Sequence, residues 1–276
     1  MRALIVTADD FGLHERINEA VARAYREGVL TCASLMVGAP AAYDAVERAR
    51  DMPDLRVGLH ITLTDGPSTS PPWQIPSLVD TGGHFEGSMF ANAVRFLNRN
   101  VRRQLAREIQ AQFEAFAATG LELDHVNTHK HFHLHPTVLS LILEIGQKFG
   151  MRAMRLPREK RGSLLLAPWV AFVKTRLDRA GIAYNDWVAG ISSTGCMDEA
   201  ALLALLADAP AGVFEIYSHP AVEGDDAITS AMQDYRHSDE LAGLCSARVA
   251  RAIKASGSMH GGFSDAFGHR AQRSVG

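Results

Sequence analysis

The sequence predicts an α/β fold, a (β/α) barrel of about seven parallel strands. Three observations carry that expectation. Short apolar runs alternate with amphipathic segments along all 276 residues. The first run, "ALIVTA" (3–8), is apolar at nearly every position, as a strand covered on both faces would be. Repeated βα units imply a mainly parallel sheet, and about seven of them suit a closed ring better than an open one.

The elements follow in order. After the strand at 3–8, "INEAVARAYREG" (17–28) places Ile17, Ala20, Val21, Ala24 and Tyr25 at helical spacing and stops at Gly28. A strand at 32–37, a helix at 41–51 and a strand at 56–63 come next, then a Pro/Gly/Ser-rich loop over 66–88. A long helix around 100–118 leads to a strand at 121–127. In "PTVLSLILEIGQKFG" (136–150), Pro136 suits a first helical turn and Gly150 an end. "RAMRL" reads as a strand, followed by a helical stretch within 164–181 and a helix at 198–207. A strand at 212–218, a helix at 238–255 and a short strand near 258–263 close the chain. The whole of 1–276 reads as one domain, with insertions at about 66–100 and 158–195 that form a substrate groove.

Composition narrows the function. A net charge of −3 gives no basic field for nucleic acid. Cys32, Cys196 and Cys245 are odd in number and show no CxxC spacing, so neither a disulfide framework nor a cysteine zinc site is expected. The expected compartment is a reducing cytoplasm. "MRALIVTADDFG" reads as a buried first strand and not a signal peptide. The longest apolar run, 164–173, is too short to span a bilayer as a helix, though it could lie on one.

In α/β folds the reacting groups gather where strands end. Asp9 and Asp10 directly follow the first strand, and His60 lies late in "RVGLHITL". His129 and His131 follow "LDHVNT", Arg155 ends "RAMR", Glu215 lies within "GVFEIYS", and His219 follows it. Each has a plainer reading. An Asp pair can cap a helix, and His60 alone would pass as a satisfied core histidine. In an extended segment His129, His131, His133 and His135 would share one side, yet a metal rarely takes more than two ligands from so short a run. His14, His84, His237, His260 and His269 are expected to be structural or at the surface.

Together these residue types can do chemistry. An Asp and two His make a three-ligand site with open positions, suited to Zn²⁺ and open to Co²⁺, Ni²⁺ or Mg²⁺. Such a site acidifies water and polarises a carbonyl. A second carboxylate serves as base, and Arg155 can keep it ionised. A further histidine serves as acid. No nucleophilic Ser or Cys is needed.

"ADDFG", "GLHITL", "NTHKHFH" and "YSHPAV", in that order, resemble the YdjC-like carbohydrate deacetylases, over residue 3 to about 265. That family is similar in fold to the NodB-type polysaccharide deacetylases, which implies an irregular (β/α) barrel. The resemblance implies Asp10, His60 and His129 as metal ligands, Asp9 as base, His219 as acid and Arg155 as the residue orienting the base, with His131 as reserve ligand. "ASLMVGAPAAYDAVERAR", "MRLPRE", "LLLAPWV" and "YNDW" are similar to the hopanoid biosynthesis-associated subgroup, HpnK. That likeness implies removal of the acetyl group from an N-acetylglucosaminyl hopanoid, against soluble chitooligosaccharides for the wider family. His131, Trp73, Trp169 and Glu215 become candidate substrate contacts. A homodimer and peripheral contact with the inner membrane are further implications. From the residues, the stretch 162–181 has apolar positions followed by Lys174, Arg176 and Arg179, as an interfacial helix would, or equally an outer helix of the barrel. A non-catalytic metal buffer stands as the alternative outside enzymology.

Overall fold

The structure is a computed structural model that describes residues 1–160, 162, 165–224 and 227–271, with side chains described as far as residue 268. Leu164 and the side chain of His269 therefore lie outside the described residues. Among the described residues the sheet has seven strands: β1 (Ala3–Phe11), β2 (Cys32–Leu35), β3 (Arg56–Ile61), β4 (Val126–Thr128), β5 (Trp187–Ala189), β6 (Val213–Ser218) and β7 (Met259–His260). Their spatial order is β4-β3-β2-β1-β6-β5, with β7 beside the start of β1, and every pairing is parallel. Single parallel bridges Val126–Met154 and Ala153–Ala183 continue the sheet from β4 toward the segment that precedes β5, so the sheet curls into an irregular barrel. The strand expected at "RAMRL" is reduced to those bridges.

Helices α1 (Glu15–Glu27), α2 (Ala42–Arg50), α3 (Met89–Arg95), α4 (Arg99–Ala118), α5 (Pro136–Gly146), α6 (Ala167–Ala180), α7 (Glu199–Ala207), α8 (His237–Leu244), α9 (Ala247–Ala255) and α10 (Phe263–Ala271) surround the sheet. α1 starts where the His14 ring accepts the Arg16 N–H, and it buries Ile17, Ala20, Val21 and Ala24. The helix expected over 238–255 is two helices: Ser246 accepts from Arg248 and Val249 and starts α9 afresh. β5 and α10 lie outside the expected elements. Three residues, "WVA", are too few to show a period.

Side chains alternate along each strand. On β1, Leu4, Val6 and Ala8 join the large core between sheet and helices, while Ala3 and Ile5 join a small interior cluster with Cys32, Val213 and Phe263. The inward column continues upward through Thr7 to Asp9. Asp10 should then point outward. Instead the register with β2 shifts between Ala8 and Phe11, and Asp10 has φ 62. This bulge, with a left-handed non-glycine residue, turns both acids toward one rim. Among the described residues no helix is long and apolar enough to cross a membrane.

Candidate functional site

The barrel interior is polar above its small apolar plug. Arg155 is fully buried and forks onto two carboxylates. It donates to Asp9 Oδ2 and Oδ1 at 2.5 and 3.0 Å, and to Glu215 Oε1 and Oε2 at 2.7 and 3.0 Å. Its guanidinium also lies 4.4 Å from the centre of the Tyr217 ring. Burial alone would raise the Asp9 carboxyl. The Arg155 charge, with His60 and His219 nearby, outweighs burial and holds it far below the usual carboxylate range. Burial likewise opposes the Arg155 charge, and the two carboxylates more than restore it.

Above this pair, Asp10, His60 and His129 bring one ligand atom each within 4.8 Å of one another, all three buried. His60 Nε2 lies 3.2 Å and His129 Nδ1 3.1 Å from Asp10 Oδ1. Those spacings are near the ~3.4 Å between ligand atoms that tetrahedral bonds of ~2.1 Å impose. Among the described residues, Asp10 Oδ2 and His60 Nε2 are buried without a hydrogen-bond partner. Buried polar atoms are normally paired, so this donor set fits a divalent cation. Burial would raise the Asp10 carboxyl, but His129, His60 and His219 hold it well below its ordinary value. Burial lowers the His60 imidazole; Asp9 and Asp10 raise it further than burial depresses it.

His219 approaches from the far side, its Nε2 3.9 Å from Asp10 Oδ2. It is held by groups that the sequence reading passed over. Its N–H donates to Glu240 Oε2 at 2.5 Å, and its carbonyl accepts from the His237 ring at 2.5 Å. Tyr217 and Tyr235 pack edge-on against its ring. Asn127 was also missed. It accepts from His60 Nδ1 at 2.6 Å and donates to Asp9 Oδ1 at 3.1 Å. A signal existed: counting back in twos from His129 gives Asn127 and His125, and from His219 gives Tyr217 and Glu215.

The histidine-rich segment is not extended. Residues His129–Leu134 form a 3-10 turn in which Lys130 and His131 have φ 52 and 54. The shared side expected of four histidines is therefore absent, and each finds its own partner. His129 meets Asp10. His131 Nε2 lies 3.1 Å from Tyr217 Oη, His133 Nδ1 2.8 Å from Thr128 Oγ1, and His135 donates to Ala93 O. Desolvation, then Arg155, pushes His131 well down and His133 to about 3, so both stay neutral.

A cleft of ≈ 550 Å³ opens onto this cluster, walled by Asp9, His60, His129, His131, Tyr217 and His219. A second, apolar hollow adjoins it and shares Lys130 and His131 with it. Phe132, Leu134, Leu166 and Trp169 line that hollow. Trp169 thus stands beside the cleft. Trp73 is 76% exposed on a 3-10 turn and lines neither. Glu215 offers no surface at all: its carboxylate is used up by Arg155 and the Thr7 hydroxyl, so it supports Asp9 and does not touch a substrate.

The model of the YdjC-like protein family matches residues 3–255. A carbohydrate deacetylase of Brevibacillus brevis is 31% identical over 256 residues, covering 91% of this chain and 94% of its own length. One from Thermoanaerobacter pseudethanolicus is 29% identical, covering 83% and 84%. One from Mus musculus is 33% identical, covering 79% and 77%. Among solved structures, a proposed cellobiose-phosphate cleavage protein of Enterococcus faecalis V583 superposes with a TM-score of 0.77 at 24% identity, covering 96% of this chain and 98% of that one. That likeness shows the fold.

Proposed function

The chain belongs to the YdjC-like family, and from that premise we propose that it is a metal-dependent carbohydrate deacetylase that hydrolyses the N-acetyl group of an amino sugar. The observation carrying this is the convergence of Asp10, His60 and His129, with Asp10 Oδ2 and His60 Nε2 unpaired among the described residues, between a forked carboxylate and a buried imidazole in one cleft.

Each side chain has a task in that chemistry. Asp10, His60 and His129 would hold the cation. Asp9 takes the proton of the attacking water. Arg155 keeps Asp9 ionised and aimed, so the base is always in its acceptor form, although a weak one. A bound divalent cation, Zn²⁺ before Co²⁺, Ni²⁺ or Mg²⁺, would supply the missing driving force by acidifying water and polarising the acetyl carbonyl. His219 protonates the sugar nitrogen as acetate leaves. Burial and close packing around both groups leave little freedom to misplace them.

The finer reading is an N-acetylglucosaminyl hopanoid or a similar lipid-linked sugar. The apolar hollow beside the cleft supports it, with Trp169 as a wall. So do the exposed Phe90, Leu97 and Leu165 on the segments 66–100 and 158–195. In this reading those segments form the groove and touch a membrane surface from the cytoplasmic side, and the enzyme works as a homodimer. α6 buries Val173 and Leu177 in the core while its start stays exposed. Acetate release from an N-acetylglucosaminyl lipid and from diacetylchitobiose tests both levels. Faster turnover of the lipid supports the finer reading, chitobiose alone leaves the family activity, and acetate from neither with zinc held tightly returns the buffer reading.

A further inference from the structure

A second buried group, Cys32, Asp124 and His125, lies at the floor of the barrel. It leads upward without a break. His125 Nδ1 lies 2.9 Å from Asp124 Oδ2, and His125 Nε2 lies 3.1 Å from Ser34 Oγ. Ser34 Oγ accepts from Asn127 Nδ2 at 2.9 Å, and Asn127 reaches both Asp9 and His60. The order Asp–His–Ser is that of a hydrolase triad, but the serine is fully buried and faces an amide, so it meets no substrate. Gly58 leaves the room: a Cβ there would come within 2.4 Å of the His125 ring.

With neutral imidazoles, the hydrogens along this path can be assigned from one end to the other. Asp124 already accepts from Phe263 N, Ser264 N and the Ser264 hydroxyl, and a carboxylate has nothing to donate. His125 must then carry its proton on Nδ1 toward Asp124, which leaves Nε2 to accept the Ser34 hydroxyl. With its proton committed, Ser34 can only accept from Asn127. Asp9, ionised against Arg155, can also only accept. Both amide hydrogens of Asn127 are therefore spoken for, and its carbonyl must face His60. That carbonyl calls for the His60 proton on Nδ1 and leaves the Nε2 lone pair toward Asp10. Without it, Asp10 at 3.2 Å would draw the proton to Nε2 and block that atom as a ligand.

We propose that Asn127, Ser34, His125 and Asp124 are positioning residues: one directional hydrogen-bond chain that sets the His60 tautomer and the aim of Asp9, and so prepares the rim to receive a cation. The proposal rests on the cation-binding reading above, and its test separates the two. Groups that orient metal-binding histidines typically change metal affinity by ~10–100-fold when removed.

Histidine-¹⁵N-labelled protein, stripped of metal and held at a pH where its imidazoles are neutral, reports each tautomer through long-range ¹H–¹⁵N correlations. Zn²⁺ affinity is then measured against a competing chelator. In the wild type His60 should be protonated at Nδ1. In Asn127→Leu the proton should move to Nε2 and Zn²⁺ affinity fall ~10–100-fold. Ser34→Ala and His125→Phe, the latter keeping the ring stacked on Phe263, should each give a smaller shift. The double variant should be no worse than the weaker-binding single, since both break one chain. An unchanged His60 tautomer and affinity within twofold in folded Asn127→Leu and Ser34→Ala would overturn the proposal. A wild type with the expected tautomers that binds no Zn²⁺ would support the chain and remove the cation reading.

Discussion

Two buried clusters of nearly the same residue types sit at opposite ends of this barrel, and they differ in what is left unpaired. At the rim, Asp10 Oδ2 and His60 Nε2 have no partner. At the floor, Asp124 accepts from two backbone N–H groups, a hydroxyl and an imidazole, and His125 is bonded at both nitrogens. The Cys32 thiol, 3.7 Å from Asp124, is pushed far up by burial and by the Asp124 charge, so it is a poor ligand. Composition alone would nominate both clusters for a metal. Hydrogen-bond accounting separates them: the rim is built incomplete, and the floor is complete and acts as its foundation.

Several substitutions would sharpen or break that contrast. The largest effect belongs to His129→Ala, which should strip the metal from the purified protein as read by elemental analysis; stoichiometric zinc there would mean that another histidine binds it. Arg155→Met should follow. It leaves Asp9 and Glu215 buried without their counter-charge, and breaking a buried pair costs ~3–5 kcal/mol, readable by chemical denaturation. Asp9→Asn should keep its zinc and lose at least ~10²-fold in turnover, because a general base typically contributes that much. Near-normal rates would exclude Asp9 as base.

The floor should respond chiefly in stability, with a change in metal affinity smaller than that of Asn127→Leu. Burial would raise the Asp124 carboxyl, but His125 and Ser264 hold it at about 2 against an ordinary 3.8. A folded value below the unfolded one means a contribution of ~2 kcal/mol that is complete above the ordinary value and fades as pH falls toward the folded one. Acid titration of thermal stability should show this loss in the wild type and a smaller one in Asp124→Ala. Trp73→Ala, on its exposed turn, should change neither zinc content nor turnover.

The sequence was legible where period and position coincide. The first strand, the helix opened by Pro136 and the gathering of Asp9, His60, His129 and His219 at strand ends all follow from local pattern, and the parallel barrel follows from their alternation. What was not legible depends on partners remote in the chain. Glu215 reads as a polar group near the rim, yet Arg155, 60 residues away, makes it a buried counter-charge. The shared side open to the histidine run if extended is lost at two left-handed residues, Lys130 and His131. Asn127 and His125 share a strand side with His129, but nothing local reveals that Ser34 links them. β5 is too short to carry a period, and Trp73 is an aromatic without a neighbour to hide it.

The most direct test is an anomalous-scattering experiment at the zinc edge on crystals of the metal-free protein soaked in Zn²⁺. A single interior peak, bonded to Asp10, His60 and His129 with none at Cys32, Asp124 and His125, is the result expected here. A peak at the floor, or an interior with the rim empty, would contradict it.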